Sequence, residues 1–169
     1  MCLILFAHRV VADAPLIVAA NRDERFNRPA APAAMWDNHP DILAGRDLSG
    51  GGTWLGVSTR GRFATITNFR DPETHRADAP TRGDLVKNFL VGKMSARAYI
   101  EDIQRAAVPY NGFCLLTWDG EDLYFYSNRA PAPMQVEPGI HGVPNQLLNT
   151  PWPKVVKGRA GLEIGRAHV

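Results

Sequence analysis

Long hydrophobic runs are missing from this sequence. Hydrophobic residues make up 45% of the 169, yet no unbroken run comes near the ~20 apolar residues that a membrane-spanning helix needs. Cysteine is scarce as well. Cys2 and Cys114 are the only two, too few for a disulfide framework. The opening Met1-Cys2-Leu3-Ile4 has no basic segment ahead of an apolar stretch. The expectation is therefore no secretory leader and a reducing, cytoplasmic setting. Charge of one sign is also lacking: Lys+Arg 19 against Asp+Glu 17, for a net +2. That field is too weak to predict a nucleic-acid partner. Lysine is rare within the basic set, at 4 against 15 arginines. Arginine grips carboxylates and phosphates in a planar fork, but codon bias in a GC-rich genome is the default reading of such an excess.

Familiar cofactor signatures are absent too. Ser49-Gly50-Gly51-Gly52 lacks the frame of a phosphate loop, and there is no dinucleotide fingerprint. His8, His39, His75, His141 and His168 form no pairs at metal-ligand spacing. No metal and no cofactor is expected.

What is present reads as one domain. Cys2–Ala7 and Pro15–Ala20 are short apolar runs around a polar turn, which predicts a hairpin covered on both faces. Asn27–Pro40 carries Pro29, Pro32 and Pro40 and reads as extended or irregular. Ile42–Leu48 could be a strand. Thr53–Ser58 and Arg62–Asn68 form a second hairpin, with Phe63, Thr65 and Thr67 on one face and Ala64, Ile66 and Asn68 on the other. Phe69–Pro80 is a loop. Thr81 is the expected cap of a helix with a Leu85, Val86, Phe89, Leu90 stripe, ended by Gly92. Ser95 caps a second helix, with Tyr99, Ile100 and Ile103 inward. Phe113–Trp118 and Leu123–Tyr126 flank an Asp119-Gly120 turn as a third hairpin, and Pro153 opens a last helix. Strands, helices, strands and a helix in that order predict an α+β or layered sandwich.

The last seven residues, Glu163 to Val169, can be encoded by the opening of a common sequencing adapter read in frame. The expectation is a domain over residues 1–162, truncated near Gly161 or Leu162, followed by a non-native tail over 163–169. Val155, Val156 and Leu162 would then lack part of their packing.

Cys2 is the most informative residue for chemistry. Removal of Met1 would place a thiol and a free α-amine in one residue, with ordinary pKa values of roughly 8.5 and 7.7–8.0. The amine can then take the thiol proton, directly or through a water. Buried strand packing is the competing reading of Cys2. Asn21-Arg22-Asp23-Glu24 follows the second strand, and closure of the hairpin would bring this polar cluster to Cys2. Asn68 ends a strand, where its amide can donate to a developing oxyanion.

Met1-Cys2-Leu3-Ile4, Ala20-Asn21-Arg22-Asp23-Glu24, Ala44-Gly45-Arg46-Asp47, Gly51-Gly52-Thr53-Trp54-Leu55-Gly56-Val57, Thr67-Asn68 and Asn149-Thr150-Pro151-Trp152-Pro153-Lys154-Val155 together resemble the NRDE family of transport-and-Golgi-organisation proteins. Asp usually stands in place of Asn149 there. That family is similar to cysteine N-terminal nucleophile hydrolases. The resemblance implies a four-layer αββα sandwich, incomplete at its C-terminus, with Cys2 as nucleophile. Either Asp23 or Glu24 would contact its amine, and Asn68 would serve the oxyanion. Asn145 would match a later catalytic asparagine, whereas a final catalytic arginine would fall beyond the chain. Two functions are expected from it: an amidase-like hydrolase acting on a small molecule with a non-peptide C–N bond, or a non-catalytic carrier of haem or an acyl ligand.

Overall fold

The computed structural model describes residues 2–166, in which strands and helices follow in this order. Strands β1 (Leu3–Val11), β2 (Ala14–Asn21), β3 (Ala30–Trp36), β4 (His39–Asp47), β5 (Leu55–Ser58) and β6 (Phe63–Asn68) come first. Helices α1 (Gly83–Val91) and α2 (Ala96–Ala106) follow. Strands β7 (Phe113–Trp118), β8 (Leu123–Ser127), β9 (Met134–Gln135) and β10 (Gly139–Val143) precede helix α3 (Pro153–Arg166).

The strands form two antiparallel sheets, one of three strands in the order β10-β1-β2 and one of seven running β3 to β9 in sequence order. Neighbouring strands in the large sheet are joined by short connections except between β6 and β7, where α1 and α2 intervene. The alternation of β6 decides how the layers stack. Phe63 joins Ile4, Phe6, Leu116 and Phe125 in a core between the sheets. Ala64 and Ile66, on the opposite face, meet Val86, Phe89, Leu90 and Ile100 of the first two helices. Both face assignments for β6 therefore hold. Helix α3 lies along β1 and β10, where Val155 is buried and Gly158 backs onto Leu5 so tightly that a Cβ would overlap that side chain.

The expected four-layer αββα sandwich is not what the chain forms. The protein is mostly β, with antiparallel sheets of seven and three strands. Its helices are short, at 9, 11 and 14 residues. They leave β2 and β3 at the sheet edges exposed along much of their length. The first hairpin accordingly departs from expectation. β1 is buried, but β2 is an edge strand whose positions alternate between half-buried and exposed, with Ile17 facing out.

Of the two expectations for the proline-rich segment, extended or irregular, the first holds: most of it is strand, in β3 and the start of β4. Pro32 is tolerated because β3 is an edge strand with a register break between Ala31 and Ala34, and an edge needs no donor on its outer side. Trp36 anchors it, its indole N–H donating to Ala44 O at 3.1 Å. Helix α1 starts one residue later than expected: Arg82, not Thr81, holds the N-cap position, without a side-chain cap. Ser95 does cap α2, accepting from Ala98 N at 3.2 Å. Within the tail region, the side chains from Ile164 onward lie outside the described residues. Just before it Val155 is fully buried, contrary to the expectation of missing partners, while Val156 is exposed.

Candidate functional site

Antiparallel register builds the site. Leu3 pairs with Asn21, so the chain leaving β2 passes directly over Cys2. The Asp23 N–H points at Cys2 Sγ at 3.4 Å, and the thiol points back at Asp23 O at 3.7 Å. The polar run after β2 thus meets the cysteine as expected. Arg22 lies over the Trp54 ring, 4.5 Å from its centroid, and 3.8 Å from Glu24. The same Glu24 carboxylate accepts the Arg25 N–H at 2.9 Å. From the far end of the chain, Lys154 donates to Cys2 O at 2.6 Å. This bond ties the base of α3 to the start of β1.

Cys2 lines two spaces. One is a cavity of about 190 Å³, lined also by Ile4, Asn21, Arg22, Trp54, Thr65 and Thr67 among others. The other is an open groove of about 920 Å³, which Cys2, Arg22, Asp23, Glu24 and Asn68 all line. Its walls carry Arg25, Arg28, Arg70, Arg76 and Arg82 as well. Asn145 lines neither space. Its amide donates to Asn68 O at 2.9 Å, while its own carbonyl oxygen is buried without a partner. The residue therefore props the end of β6, together with Thr67, whose hydroxyl donates to Pro144 O at 3.0 Å. Among the described residues no cluster of metal ligands is present.

The thiol is held above its usual range, by burial first and by Glu24, against the opposing pull of Lys154 and Arg22. At neutral pH it is a protonated thiol and needs a base to become a nucleophile. Cys114 differs in kind. Burial pushes it up to about 12, and it sits in the inter-sheet core with Gln146 O at 3.2 Å. Trp54 and Lys154 escaped single-residue reasoning, although each lies inside a quoted motif. Arg82 carried no sequence signal.

These features define a two-sheet antiparallel β protein with a half-buried thiol at the head of a strand and an arginine-rich groove before it. Residues 1–165 match the Transport and Golgi organisation 2 family, and the chain belongs to that family. It is 41% identical over 153 residues to the mouse Transport and Golgi organization 2 homolog, covering 85% of this chain and 55% of that one. The human homolog is 40% identical over the same length and shares of each chain. Transport and Golgi organization protein 2 of Drosophila melanogaster is 28% identical, with 90% of this chain and 60% of the relative covered. The chain thus spans little more than half the length of these relatives.

Proposed function

We propose that this region carries an N-terminal cysteine hydrolase site of the amidase kind, acting on a small molecule with a non-peptide C–N bond. One observation carries the reading: Cys2, at the head of the groove, has the Asp23 N–H at 3.4 Å from its sulfur, with Arg22, Glu24 and Asn68 lining the same space. After removal of Met1 the Cys2 α-amine takes the thiol proton. The sulfur adds to the amide carbonyl, and the C–N bond breaks as the amine passes that proton to the departing nitrogen. Water then cleaves the thioester and restores the thiol. Asp23 or Glu24 orients the amine. Asn68 and a backbone N–H hold the oxyanion. Asn21 and Asn145 act through position, the first on the wall of the smaller cavity and the second as the prop of Asn68.

A second reading has its own observation. Burial and Glu24 hold the thiol up, and an α-nitrogen still bound to Met1 is an amide that takes no proton from it. With Met1 retained, the groove would hold a haem or acyl ligand without turnover. Intact mass after reaction with a β-lactam or electrophilic amide probe separates the two. Loss of methionine with one adduct, abolished by Cys2→Ala and kept in Cys114→Ala, supports the hydrolase. Retained Met1 or an adduct on Cys114 overturns it.

A further inference from the structure

Arg82 is the half-buried groove arginine that no ion pair among the described residues compensates. Arg22, the other half-buried one, has Glu24 and Trp54. Arg28 donates twice to Asp47 Oδ2, at 2.9 and 2.7 Å, Arg76 has Asp78 at 2.8 Å, and Arg25 and Arg70 are exposed to solvent. Arg82 is half-buried and spends one N–H on a neutral acceptor, Gly112 O at 2.9 Å. Among the described residues no carboxylate reaches it as an ion pair. Burial and the nearby Arg28 guanidinium both work against its charge, and only Glu24 pulls the other way, at longer range. A half-buried cation without a counter-charge is costly, and an anion entering the groove relieves that cost.

The position is rigid as well as charged. Arg82 precedes helix α1, whose Leu85, Val86, Phe89 and Leu90 are buried, and the following Gly83 abuts Thr53. A guanidinium held this way presents its free N–H fork with little ordering left to do, which suits bidentate recognition of an oxyanion. Arg82 and Cys2 line one continuous groove, whose volume of about 920 Å³ is that of a small-molecule site.

We propose that the substrate of this groove carries an oxyanion group, a carboxylate or a phosphate, and that Arg82 receives it while the amide lies at Cys2. The inference rests on the hydrolase reading for the amide end and on Arg82 alone for the anionic end. Glutarate and inorganic phosphate are the probes, with neutral glutaramide as control, titrated by calorimetry into Cys2→Ala protein. Glutarate, phosphate or both should bind, and glutaramide should not. Arg82→Gln should weaken binding about tenfold or more, and Arg82→Lys should restore part of it. Arg97→Gln, on an exposed residue of α2 paired with Glu101, should leave binding unchanged. A measurement on the unaltered chain guards against misfolded variants: the anion that binds should shield Arg82 from phenylglyoxal, located by peptide mass. Equal binding of glutaramide, no loss in Arg82→Gln, or an unshielded Arg82 overturns the inference. Anion binding in a protein whose Cys2 never forms an adduct leaves it standing and removes the hydrolase reading alone.

Discussion

Gly52→Ala should destabilise the protein by about 2 kcal/mol. Gly52 is buried where the loop after β4 crosses the start of α1. A Cβ there would overlap the Gly83 carbonyl carbon, lie 2.6 Å from its oxygen and 2.9 Å from Asp84 N. All three atoms are backbone, so no side chain can swing aside. The next residue is tied to the same place, with Thr53 N donating to Gly83 O at 3.3 Å. Accommodation therefore means moving either the loop or α1, and α1 carries Val86, Phe89 and Leu90 at 0% exposure in the core. Overpacking of this kind costs ~1–3 kcal/mol, and the upper end applies where only backbone can yield. The reduced freedom of the unfolded chain returns roughly 0.4–1 kcal/mol, leaving the net figure. With a urea slope of about 2 kcal/mol/M, the midpoint should fall by about 1 M. Gly161→Ala is the matched control. It is an exposed α3 position with no atom within 4 Å of the added Cβ, so helix propensity should raise stability by roughly 0.5–1 kcal/mol. A Gly52→Ala midpoint indistinguishable from wild type would refute the close approach of loop and helix, and with it the placement of Arg82 on the groove wall.

The other predictions concern charge and the site. With Met1 retained, iodoacetamide labelling of Cys2 should rise steeply from pH 6 to 8.5 without a plateau, because burial and Glu24 hold its thiol up; a plateau below pH 8 in that form contradicts this. Cys114, pushed up to about 12, should stay unlabelled throughout in the folded protein. Asp23→Asn should slow probe adduct formation at Cys2 while changing stability by less than about 0.5 kcal/mol, as expected of an exposed position. A loss of the ~2–5 kcal/mol typical of a core Leu→Ala would make Asp23 a structural residue. Burial raises the Asp47 carboxyl, but Arg28 and the Gly50 and Ser49 N–H groups together outweigh it and leave it below its usual value. A depressed carboxylate contributes stability above its unfolded pKa, about 3.9, and loses it as pH falls through the folded value. Acid unfolding followed by circular dichroism should therefore be shallower in Asp47→Asn below about pH 4; an unchanged profile rejects the role of Asp47.

Local signals carried much of the secondary structure. Asp119 shows why they worked: its carboxylate accepts the Glu121 and Asp122 N–H groups at 3.0 and 2.9 Å, closing the β7–β8 turn. It also accepts Ala96 N at 2.7 Å, which pins the start of α2. Composition left the outcome open where the partner decided it. Three prolines made Asn27–Pro40 extended or irregular; β3 is the extended alternative, because an edge strand needs only one bonded side and absorbs Pro32 in a register break. Layering was the larger miss. An amphipathic stripe reveals that a helix has a buried face, but not how much of a sheet the helices cover, and here β2 and β3 are left largely bare.

The site was legible in the part that one hairpin determines. Closing β1 on β2 suffices to set Asp23 against Cys2, because two paired strands fix which residues lie opposite. The third wall depends on how separate segments meet. Asn68 and Asn145 look alike in sequence, both polar and near strand ends, but only Asn68 lines the groove. Asn145 is spent on Asn68 O. Lys154 reaches Cys2 O across 152 positions, a separation no spacing rule covers. Arg82 was hidden for a further reason. Its significance is a missing counter-charge, and which carboxylates are already taken becomes visible only when Asp47, Glu24 and Asp78 have been assigned to other arginines. An arginine excess that composition assigns to codon usage thereby gains, at this one position, a chemical consequence: a half-buried cation facing an open groove, in a protein otherwise close to charge balance.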